Sequence, residues 1–112
     1  MDFVFSEDIA RANVLAARSD VSDEVFNVAS GTETTLLGLL EALLRVTGRT
    51  DVEPEFLPER TVNPVPRRLA DVSRAATKLG FRARIGLEEG LYRLVEWRKH
   101  AIAAKRWQEY CP

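Results

Sequence analysis

Apolar residues at Phe3 and Phe5 give the start of the chain a period of two, the mark of a half-buried strand, and the pattern then turns helical without an intervening turn. Ser6 followed by Glu7 and Asp8 suits a helix start, because a hydroxyl can accept an orphan amide proton and acidic groups in the first turn complement the helix dipole. A helix is expected from about Glu7 to Ala17. The polar stretch RSDVSDE (18–24) ends it, and Val25 to Ala29 (VFNVA) reads as a short strand buried on both faces, broken by Ser30 and Gly31. The opening strand has no hairpin partner before it, so the chain reads as if it began in the middle of something longer.

Thr34 or Thr35 can cap the next helix, which runs through LLGLLEALLRV to Gly48, a residue suited to the left-handed position beyond a helix end. Leu36, Leu37, Leu39, Leu40, Leu43, Leu44 and Val46 cover more than one stripe, which predicts a helix covered on two sides. An extended segment, Val52 to Phe56, leads into the loop LPERTVNPVPRR, where Pro58, Pro64 and Pro66 exclude a helix. Asp71 is placed to cap a helix over VSRAATKL that ends at Gly80, and Gly86 with Glu88 and Glu89 begins the last helix, expected from about Leu87 to Tyr110. Its apolar face is Leu87, Leu91, Leu94, Val95, Trp97, Ala101 and Ile102. The reading is an α/β chain, mostly helical with a few short strands: one domain over 1–97 and a helical C-terminal extension over 98–112.

Composition changes this picture little. The 112 residues are 46% apolar and 29% charged, ordinary for a globular domain. No run approaches the roughly 18 apolar residues that cross a bilayer, and Met1 is followed by Asp2 rather than a basic segment, so a membrane span and a signal peptide are not expected and the expected location is the cytoplasm. Charge is uneven: residues 1–56 carry 4 basic and 11 acidic groups, and residues 57–112 carry 12 and 6. The halves should attract each other, and the basic half can hold an anion, although without interleaved aromatics it is a poor nucleic-acid footprint.

Catalytic constellations are scarce. The six glycines are scattered singly, so no phosphate-cradling loop exists. His100 is the only histidine and Cys111 the only cysteine, which leaves neither a nucleophilic triad nor a metal-ligand spacing.

Three blocks in order nevertheless resemble the C-terminal part of the NAD-dependent epimerase/dehydratase family, the extended short-chain dehydrogenase/reductases acting on nucleotide-diphosphate sugars. They are DFVFSEDIARA, EVFNVASGTETTLLGLLEALLRVTG and RRLADVSRAATKLGFRARIGLEEGLYRLVEW. The resemblance implies the substrate-binding portion of such an enzyme. In full-length relatives an N-terminal Rossmann domain holds NAD(P) on a Gly-x-x-Gly-x-x-Gly loop and supplies a Tyr-x-x-x-Lys pair. Neither motif occurs here, because Tyr92 and Tyr110, the only tyrosines, have no lysine four residues later. The expectation is a chain that binds no cofactor and is inactive alone.

Family members place an arginine before the Asp-aromatic-Val signature, where Met1 stands here, and a second one about ten residues before the Asp of the third block, near Arg60. A guanidinium can fork two donors onto a phosphate, so Arg60 is the first candidate for a nucleotide diphosphate, with Arg67 and Arg68 as alternatives. A solvated charge, or an ion pair with the acidic N-terminal half, is the competing reading. Asn27 also matches the family and joins the substrate-binding candidates, although an asparagine bonding backbone explains it as well. Expected partners are a nucleotide-diphosphate sugar and either a second copy or a Rossmann-bearing chain. The competing function is an association module that takes no ligand.

Overall fold

A computed structural model describes residues 1–58 and 67–103. Four helices follow in order: α1 (Ser6–Arg18), α2 (Leu36–Thr47), α3 (Ser73–Leu79) and α4 (Leu87–Ala103). α2 packs along α4, and α1 meets α3.

Local signals fix most helix ends. Thr35, of the two expected threonines, caps α2 by accepting the Gly38 N–H at 3.0 Å. Gly48 closes α2 at φ 68° and Gly80 closes α3 at φ 65°, both left-handed conformations that cost a side-chain-bearing residue steric strain. After Gly80 the Phe81 N–H returns to the Ala75 carbonyl, and this turns Phe81 into the core. The start of α1 differs from expectation: Phe5 rather than Ser6 holds the cap position, and no side chain caps it. Asp71 acts just ahead of α3, where its carboxylate accepts from the Ser73 N–H at 2.9 Å and from the Ser73 hydroxyl at 2.6 Å.

The strands expected at Phe3–Phe5 and Val25–Ala29 form no ladder among the described residues. An isolated antiparallel bridge joins Asp2 to Glu33. A strand is a paired object, and among the described residues the VFNVA run has no neighbouring strand to take its N–H and C=O groups. Its alternation still operates: Phe26 and Val28 pack against the core while Val25 is 81% exposed. The architecture is therefore mostly helical.

That core is thin. Ala12, Ala75, Leu79 and Phe81 are buried together, with Leu15, Phe26, Val28 and Ala83 packed around them. α2, expected to be covered on two sides, buries Ala42 but leaves Leu36, Leu37 and Leu43 exposed.

Charge joins the two halves of the chain as its asymmetry predicts. Glu7 pairs with Arg93, Glu24 with Lys78 and Glu33 with Arg67, each an acidic group of the first half with a basic group of the second. Exposed pairs of this kind are screened by water and salt, so they orient more than they stabilise.

Candidate functional site

The candidate region is built on the first residues of the chain. The Asp2 carboxylate accepts the Ser30 N–H and the Gly31 N–H, each at 2.9 Å, and also the Ser30 hydroxyl. Gly31 stands at φ 73°, and a Cβ there would lie 3.3 Å from a Val72 methyl, so both its conformation and its neighbour favour glycine. The Thr34 N–H completes the anchor by donating to the Met1 carbonyl at 2.7 Å. The turn 30–34 is held in this way against the start of the chain, and Gly31 lies beside Val72 in the segment that leads into α3.

That contact brings Glu33 to Arg67. The guanidinium fork of Arg67 engages both carboxylate oxygens of Glu33 through Nε at 2.9 and 3.1 Å and through Nη2 at 2.5 Å. Their mutual hydrogen bond holds the Glu33 carboxyl below its usual range and raises the Arg67 guanidinium further. Arg68, next in sequence, is exposed and has no hydrogen bond or ion pair with a described residue. The third candidate arginine, Arg60, lies outside the described residues.

Asn27 donates its side-chain N–H to the Asp71 carbonyl at 3.2 Å, so its amide bonds backbone. The Arg74 guanidinium reaches the Val25 carbonyl at 3.4 Å. Val25, Asn27, Asp71, Ser73 and Arg74 line an open cleft of ≈ 390 Å³. Hydrogen bonds from the Ser73 hydroxyl and N–H hold the Asp71 carboxyl below its usual range, so it stays ionised in this cleft. The structure thus brings Asn27 to Asp71, and Arg67 to Glu33. Tyr92 and His100 lie exposed on α4.

One residue of consequence escapes sequence reasoning. Asp8 is only 2% exposed, yet it is charged. One carboxylate oxygen accepts the backbone N–H groups of Arg84 and Ile85 at 2.9 and 3.0 Å, and the other accepts Arg11 at 2.7 Å. Arg11 in turn donates to the Arg82 carbonyl and lies 5.1 Å from the centroid of the Phe81 ring. Burial opposes ionisation of Asp8, but the bonds from Arg11, Ile85 and Arg84 outweigh it and hold the carboxyl below its usual range. The only sequence signal is the Asp8/Arg11 spacing of three, which brings two groups together on a helix but says nothing of a partner more than seventy residues away.

Among the described residues, no group of three or more histidine, cysteine, aspartate or glutamate side chains could hold a metal ion. No described helix is long and apolar enough to cross a membrane.

No protein-family model matches the chain. Individual proteins do. It is 35% identical over 96 residues to the UDP-glucose 4-epimerase of Mycolicibacterium smegmatis, which is 86% of this chain and 30% of that enzyme. It is 30% identical over 96 residues to a dTDP-glucose 4,6-dehydratase of an Actinoplanes species, with the same coverage of each chain. A UDP-glucose 4-epimerase of Thermotoga maritima, solved with UDP-glucose, superposes with a TM-score of 0.81 at 37% identity over 90% of this chain and 32% of that one. The chain belongs to the NAD-dependent epimerase/dehydratase family. The Bordetella bronchiseptica enzyme WbmF, solved with NAD+ and UDP, agrees: its TM-score is 0.76 at 32% identity, over 93% of this chain and 31% of WbmF. The chain spans about a third of its epimerase/dehydratase relatives' length and corresponds to their C-terminal portion.

Proposed function

We propose that this chain is the nucleotide-diphosphate-sugar-binding portion of an epimerase/dehydratase, with the Arg-rich segment ahead of α3 as its anion-holding element. The observation that carries the reading is the fold shared at a TM-score of 0.81 with an epimerase solved with UDP-glucose, together with an exposed guanidinium at Arg68 beside the fork of Arg67. A diphosphate presents several acceptor oxygens, which paired guanidinium groups match in both charge and geometry. Arg60 completes the candidate set, and Asn27 acts by fixing the segment at Asp71.

Hydride chemistry in this family depends on NAD, and the residues here do not fit that cofactor. Gly48 and Gly80 end helices, Gly31 makes a turn, and Gly38 and Gly90 lie inside helices. Gly86 precedes α4, where Glu88 and Glu89 in the first turn would repel a pyrophosphate.

The test is a calorimetric titration of the chain with UDP and with uridine at low and high salt. Saturable binding of UDP, absent for uridine and weakened by salt as phosphate contacts are screened, supports the reading. Equal heats for UDP and uridine, or none at millimolar UDP, refute it.

A second reading, association with a Rossmann-bearing chain or a second copy, is favoured by the exposed Val25 of the unpaired VFNVA run and by Leu36 and Leu37 on α2. Sedimentation velocity tests it, since a concentration-independent monomer excludes self-association.

A further inference from the structure

Resting on the nucleotide-binding reading, we propose that Glu33 is a displaceable occupant of the anion site: in the free chain its carboxylate fills the Arg67 fork that a ligand diphosphate takes over on binding. Three observations lead there. The first is geometric, because Nε and Nη2 of Arg67 are the parallel donor pair a phosphate would use, and both are already on Glu33. The second is placement. Glu33 belongs to a turn fixed by Asp2, so it cannot drift away, whereas Arg67 has a side chain that is 71% exposed and free to re-aim.

The third is energetic. An exposed ion pair is weak enough for a multiply charged ligand to displace it, yet can lower apparent affinity by up to about fivefold. Carboxylate and phosphate compete for one cation, and a carboxylate left beside a bound diphosphate adds like-charge repulsion. Arg68, without a described partner, offers the first contact, and Arg67 follows once Glu33 lets go. Glu33 thereby sets how much negative charge a ligand needs before it binds, favouring diphosphates over monophosphates.

The experiment compares the chain with its Glu33→Gln variant in titrations against UDP and UMP, and follows the Arg67 Nε–H resonance of the unmodified chain by NMR as UDP is added. The proposal expects Glu33→Gln to bind UDP about three- to fivefold more tightly, the UMP:UDP discrimination to narrow, and the Arg67 Nε–H resonance to move on saturation. UDP binding that is unchanged or weakened in the variant, or an Arg67 resonance that stays fixed at saturation, overturns the occupant role while leaving nucleotide binding intact. Absence of UDP binding in both proteins overturns both readings. The wild-type resonance decides the question should the variant fail to fold.

Discussion

Replacing Asp8 by alanine should be the most damaging single change in α1. The substitution leaves the Arg84 and Ile85 N–H groups without their acceptor and strips Arg11 of its carboxylate partner. Hydrogen bonds to a charged group contribute about 1.5–3 kcal/mol each, and the Arg11 pair adds about 1 kcal/mol because Arg11 keeps 24% of its side-chain surface in water. Local water entry recovers part of this, so the expected loss is about 3–5 kcal/mol, in line with breaking a buried pair. Asp8→Asn keeps the shape and one acceptor but sets an amide N–H against either Arg11 or the backbone donors, and should cost about 2–3 kcal/mol. Arg11→Ala, which spares the two backbone bonds, should cost less than either. Urea denaturation followed by circular dichroism reads all three. Should Asp8→Ala lie within about 1 kcal/mol of the parent, or Arg11→Ala exceed Asp8→Ala, Asp8 does not clamp α1 to the 84–85 backbone.

Further outcomes follow from the same structure. Gly80→Ala, at a left-handed position with open space around it, should lose about 1–2 kcal/mol from backbone strain alone, and its denaturation midpoint in urea measures this. The Asp8, Asp71 and Glu33 carboxyls all lie below their usual range in the folded chain. Their contribution is thus present above the ordinary carboxylate pKa of about 4 and is lost as pH falls through the depressed folded values. Thermal melts should show a midpoint steady near neutrality and falling below about pH 4, with the fall reduced in Asp8→Asn.

Helices were legible in this sequence because their determinants are local. Thr35 and Gly48 bracket α2, Gly80 ends α3, and the acidic Glu88 and Glu89 open α4, all within a few residues of the backbone groups they satisfy. The strands were not legible, since VFNVA carries the composition of a buried strand but pairing depends on a neighbour that composition cannot supply. Asp8 shows the same limit from the polar side: a first-turn acidic residue looks like dipole complement until the fold delivers the Arg84 and Ile85 amides to it. Pairing of Arg67 with Glu33 was foreshadowed by the opposite charges of the two halves, but the choice of partner was set by the Asp2 anchor.

Nucleotide binding by the Arg-rich segment that carries Arg60, Arg67 and Arg68 is read out by an amide NMR titration of the chain with UDP at low salt. Saturable shifts are expected at the 30–34 turn and along residues 58–74, which include Arg60, Arg67 and Arg68, weakened about tenfold or more in Arg68→Ala, the loss of one charge-assisted contact of about 1.5–3 kcal/mol. Shifts scattered elsewhere, or none at millimolar UDP, would contradict it.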